Sequence, residues 1–98
     1  MAVVFLTITP LGTGTPSVSP YVAGVERILR GTTLKHQLTA MGTIIEGDLD
    51  EILAVIRKMH EHPFTQGAVR VSTLVKIDDR RDKEHTIAGK MKSVREKM

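Results

Sequence analysis

Apolar and polar positions along the chain change period several times, and each change marks a predicted element. From Ala2 to Thr9 the chain is rich in β-branched residues, with Val4, Leu6 and Ile8 on one face and Val3 and Phe5 on the other. This predicts a strand ending at Pro10, and apolar character on both faces predicts a central position in its sheet with the second face covered. Ser19 followed by Pro20 has the form of a helix start, and Val18, Val22, Val25 and Leu29 make one stripe, widened by Ile28 and ended by Gly31. Leu34 to Ala40 and Thr43 to Gly47 read as two strands joined tightly at Met41-Gly42, where glycine is expected to take a positive φ.

Asp48-Leu-Asp-Glu51 has the form of a capping box, and Leu49, Ile52, Leu53, Ile56 and Met59 follow at helical spacing as far as Pro63, where the helix is expected to stop. Ala68 to Asp78 then alternates Val69, Val71, Thr73, Val75 and Ile77 with Arg70, Ser72, Leu74, Lys76 and Asp78, a half-buried strand long enough to cross the sheet. The order β-α-β-β-α-β, with two crossover helices, predicts an α+β ferredoxin-like sandwich. After a charged connector, Thr86 can cap a last helix with Ile87, Met91, Val94 and Met98 on one stripe. Such a helix is marginal alone, so residues 79–98 are expected to dock, on their own sheet or on a neighbouring subunit. The surface formed by Val3, Phe5 and Leu74 is a candidate, and the unpartnered stripe argues for an oligomer.

Composition narrows the functional classes. Ninety-eight residues, 41% hydrophobic, supply one modest core and so one domain, residues 1–98. There is no cysteine, hence no disulfide framework, thiolate nucleophile or sulfur-based zinc site, which fits a cytoplasmic address. The first apolar run is too short to span a membrane and lacks the flanks of a signal peptide. The net charge of +3 lies wholly in the tail: residues 1–75 carry six basic and six acidic side chains, and the rest eight basic and five acidic ones. Of the three aromatics, Phe5, Tyr21 and Phe64, only Phe5 lies on a predicted strand. That is too few to stack bases, so nucleic acid is not an expected partner.

Catalytic constellations are sparse. His60 and His62 stand two apart at a helix end without a third ligand nearby in sequence, and read as solvated residues favoured by the helix dipole. No nucleophile elbow is present. Asp78 and Asp79 could act as acid and base or hold a hard cation, but Arg80 and Arg81 follow directly, favouring a salt-bridged turn. Gly12-Thr-Gly14 lacks the third glycine of a dinucleotide loop and the lysine of a Walker loop. It remains either a plain loop or a hydroxyl-rich one, with Thr13 and Ser17, that meets an anion or a polar ring edge at a helix start.

Three segments carry more than pattern: Pro10-Leu-Gly-Thr-Gly-Thr-Pro-Ser17, Met41-Gly-Thr-Ile-Ile-Glu-Gly47, and Lys76-Ile-Asp-Asp-Arg-Arg-Asp-Lys83 with the Gly-Lys-Met-Lys-Ser-Val that follows. In this order they resemble the small thiamine-binding protein family of prokaryotes and fungi. The resemblance implies a ferredoxin-like fold, dimers that pair into tetramers, and binding of thiamine or its hydroxymethylpyrimidine part without catalysis or a cofactor. Against that ligand, Glu46 is the expected acidic partner of the aminopyrimidine or the thiazolium, its other reading being a salt bridge. Met41 and Phe5 are expected as apolar walls, Gly42 as a point of close backbone approach, and Thr43, Thr13 and Ser17 as hydrogen-bonding groups. Tyr21 is either a stacking or a packing residue. The expected function is that of a carrier, buffer or sensor. The competing expectation is an assembly or regulatory protein that works through its oligomer surface and basic tail, with no small ligand.

Overall fold

Seven elements are present among residues 1–14 and 19–98, which the computed structural model describes. They are β1 (Ala2–Pro10), α1 (Ser19–Arg30), β2 (Lys35–Leu38), β3 (Thr43–Gly47), α2 (Leu49–Thr65), β4 (Val71–Asp79) and α3 (Ile87–Lys97). The strands form one antiparallel sheet in the order β2-β3-β1-β4, so β1 is central and each βαβ unit crosses over one strand. This is the ferredoxin-like arrangement expected from the element order.

Register sorts the side chains. Ala2, Val4 and Leu6 of β1 share a face with Ile45 of β3, and with Leu29 of α1 and Ile52, Val55, Ile56 and Met59 of α2 they form the core. The other face of the sheet carries Val3 and Phe5, opposite Glu46 and Ile44 on β3 and Asp78 and Lys76 on β4. Alternation therefore places neighbouring residues of β3 in different environments, Thr43 and Ile45 under the helices and Ile44 and Glu46 away from them.

Several boundaries differ from the pattern. β2 is four residues long because Thr39 closes the chain into a turn: its hydroxyl donates to the Gly42 carbonyl at 2.7 Å and accepts from the N–H groups of Met41 and Gly42 at 3.2 and 3.1 Å. Gly42 does not adopt the expected positive φ. A side chain is excluded there for another reason, since a Cβ would lie 2.6 Å from Phe5 Cζ and 2.9 Å from the Leu6 carbonyl oxygen. α2 begins as expected, with Asp48 accepting from the Glu51 N–H at 3.2 Å, but runs past Pro63 to Thr65. Pro63 gives up a backbone bond within the helix, but only two helical residues follow it, and it is fully buried while its carbonyl accepts from Gln66 and Ala68. That bond holds Ala68 to the helix end, so β4 starts at Val71 instead of Ala68.

α3 is capped by Thr86, whose hydroxyl accepts from Gly89 N–H at 2.9 Å. No α3 residue is buried: Met91 is 48%, Val94 56% and Met98 96% exposed. Within one chain the predicted stripe is therefore largely uncovered.

Candidate ligand-binding cleft

The pairing of β3 with β1 ends at Leu6↔Thr43, whereas β4 follows β1 to Pro10↔Val71. Beyond Leu6, the β3 side of β1 thus has no strand partner among the described residues, and the backbone groups directed there by alternate residues of Thr7–Thr9 are outside the ladder. A cleft of about 210 Å³ opens at this place, between the end of β1, the 39–43 turn, and Val22 and Val25 of α1. Its apolar wall includes Ile8, Leu38 and Met41. Thr43 brings a hydroxyl that has no hydrogen-bond partner among the described residues, on the same side of the sheet as Leu6. The lining holds no carboxylate, imidazole or amine among the described residues. Such a surface binds by shape and by hydrogen bonds rather than by proton transfer.

Of the residues singled out in the sequence, Met41, Gly42 and Thr43 line this cleft, and Phe5 backs Gly42 from the other face of the sheet. Thr13 is half-buried in the loop after β1, between Gly12 and Gly14, both at positive φ. Ser17 lies outside the described residues. Tyr21 is half-buried in the first turn of α1. Glu46 stands on the opposite face of the sheet from Thr43, 6% exposed, where its Oε2 accepts a 2.6 Å hydrogen bond from the backbone N–H of Ile87. It holds the start of α3 and makes no salt bridge among the described residues.

A second carboxylate, not anticipated from the sequence, lies in the groove beside the cleft. Glu26 of α1 is 8% exposed, and its Oε1 lies 3.2 Å from His36 Nε2 on β2, while His36 Nδ1 meets the Leu34 carbonyl at 3.1 Å. Glu26 lines a groove of about 490 Å³ between α1 and β2, which adjoins the cleft through shared Val22 and Leu38. Glu26 stands four residues after Val22 and three before Leu29, at the edge of the apolar stripe, and its charge kept it out of a core read from apolar positions alone. The Thr39 staple was also missed, although a threonine three residues before a glycine is a recognisable turn signal.

The other titratable groups are engaged structurally. His60 is half-buried, with Nδ1 2.6 Å from Thr73 Oγ1 and its ring edge-on to Phe64, so it joins α2 to β4 instead of being solvated. Asp79 pairs with Arg81 at 2.8 Å and Asp82 with Arg80 at 2.6 Å, making the salt-bridged turn expected of the connector. The Arg81 guanidinium holds Asp79 below its ordinary range, and that of Arg80 pulls Asp82 down to about 2. Asp78 is lowered by the hydrogen bond from the Lys90 ammonium. Among the described residues no group of three or more acidic, histidine or cysteine side chains is placed to hold a metal ion. Among the described residues no helix is long and apolar enough to cross a membrane.

Comparison with known proteins agrees with this architecture. Residues 4–95 match the family model described as thiamine-binding protein. The chain is 52% identical to the UPF0045 protein YqgV of Bacillus subtilis, over 96% of this chain and 94% of that one. The crystal structure of MJ1052 from Methanocaldococcus jannaschii superposes with a TM-score of 0.88 at 41% identity, covering 97% of this chain and 96% of that one. A Thermotoga maritima protein proposed for thiamine biosynthesis or salvage shares the fold, with a TM-score of 0.77 at 18% identity over 95% and 97% of the two chains. By the match over nearly its whole length and by its similarity to these relatives, the chain belongs to the thiamine-binding protein family.

Proposed function

We propose that this protein binds thiamine or its hydroxymethylpyrimidine part, without making or breaking a bond, in the cleft between α1, the end of β1 and the 39–43 turn. The observation that carries this reading is the unpaired backbone edge of Thr7–Thr9 in an otherwise apolar concavity. An aminopyrimidine presents donors and acceptors along one edge and flat apolar faces, and such an edge can continue the β1 ladder where β3 stops. Thr43 adds a hydroxyl able to donate or accept, while Ile8, Val22 and Met41 cover the ring faces. A carrier, buffer or sensor needs nothing further from the site. Amide NMR during a thiamine titration tests it: shifts concentrated at Thr7–Thr9 and Thr43 support the cleft, and shifts confined to Glu46 and Ile87 contradict it.

We further propose that the chain works as an oligomer, built as dimers that pair, with α3 docked on a neighbouring subunit. Met91 and Val94 are exposed in the single chain, as are Leu74 and Ile77 of β4. Light scattering of wild type and Met91→Asp/Val94→Asp checks this: a multimer reduced by the substitutions supports the reading, and a wild-type monomer contradicts it.

A further inference from the structure

We infer that Arg27 and Arg30 form a phosphoryl-binding clamp beside the cleft, so that the protein takes the phosphate monoester of its ligand in preference to the free alcohol. This rests on the cleft being the thiamine site. Both arginines line the groove that adjoins the cleft through Val22 and Leu38. Their i, i+3 spacing on α1 puts them on neighbouring positions of one helix face. On the helix axis they stand about 7.5 and 12 Å beyond Val22, a reach suited to a substituent extending from a ring in the cleft.

Neither guanidinium has a partner among the described residues. The groove's one acid, Glu26, faces His36 at 3.2 Å. A helix C-terminus favours basic residues in general, but that preference is met by side chains pointing anywhere around the last turn. Two arginines gathered in one concavity, with its carboxylate already engaged, leave an excess of positive charge and a set of planar donors matched to a phosphoryl group.

Calorimetry with thiamine and thiamine monophosphate, on wild type, Arg27→Gln/Arg30→Gln and Arg27→Lys/Arg30→Lys, tests the clamp. The monophosphate should bind wild type about tenfold more tightly than thiamine. The ratio should fall to within about twofold in the glutamine variant, and the lysine variant, which keeps charge but not the planar fork, should fall between. Raising salt should narrow the wild-type preference, which provides a readout independent of any substitution. Equal affinities in wild type, or a preference that persists in the glutamine variant or at high salt, overturn the clamp while leaving the cleft intact. Failure of wild type to bind either compound overturns both.

Discussion

Glu46 of β3, on the face of the sheet away from the core, is bonded to Ile87 at the start of the terminal helix, its Oε2 accepting from the backbone N–H at 2.6 Å across a sequence separation of 41 residues. A buried carboxylate is costly unless it is hydrogen-bonded, and the first turn of a helix offers free N–H donors and the positive end of its dipole. Together with Lys90, which reaches back to Asp78 at 2.7 Å, this contact fixes where α3 leaves the sheet.

Glu46→Ala should therefore release α3. Chemical unfolding is expected to show a loss of about 1–3 kcal/mol, and limited proteolysis should cut faster between residues 80 and 98. Unchanged proteolysis of the tail would contradict this role.

Gly42→Ala should destabilise by about 1–3 kcal/mol, as overpacking does, because the added methyl meets both the Phe5 ring and the Leu6 carbonyl. Shortening the ring in Gly42→Ala/Phe5→Leu should recover part of the loss, since one of the two clashes is removed and the backbone one remains. Urea unfolding of the two variants measures the coupling. A single substitution without cost would show that the turn is held more loosely than its geometry indicates.

The connector's response to acid has a definite sign. Asp82, held at about 2 by Arg80, has a folded value below its ordinary 3.8, so its contribution to stability is present above 3.8 and lost as the pH falls from there through about 2. Asp79 and Asp78 follow the same direction through Arg81 and Lys90. The stability difference between wild type and Asp82→Asn should then be constant from neutrality to about pH 5 and vanish by about pH 1, below both values. These carboxylates face solvent, so the amplitude is small and should shrink further in high salt. A difference that grows on acidification would contradict the pairing.

Much of the fold was legible because its signals are periodic. Val4, Leu6 and Ile8 at every second position mark the helix-covered face of β1, and Ile52, Ile56 and Met59 mark the core-facing side of α2. The site was legible only in part. Met41, Gly42 and Thr43 stood out by their resemblance to a family motif, but parity along β3 decided that Thr43 faces the cleft and Glu46 does not, and parity matters only once the strand pairing is known. The unpaired edge of Thr7–Thr9 arises because two partner strands have different lengths, a tertiary fact without a local sequence signal. Glu26 and His36 meet only after the chain crosses from α1 to β2.

The cleft itself is tested most directly by titrating thiamine calorimetrically into wild type, Val22→Trp, which fills the concavity, and Glu46→Gln, which alters the other face of the sheet. Saturable binding by wild type and Glu46→Gln, abolished in a folded Val22→Trp, is the predicted result. Binding that survives in Val22→Trp but is lost in Glu46→Gln would contradict it and move the site to the face that carries Glu46 and α3.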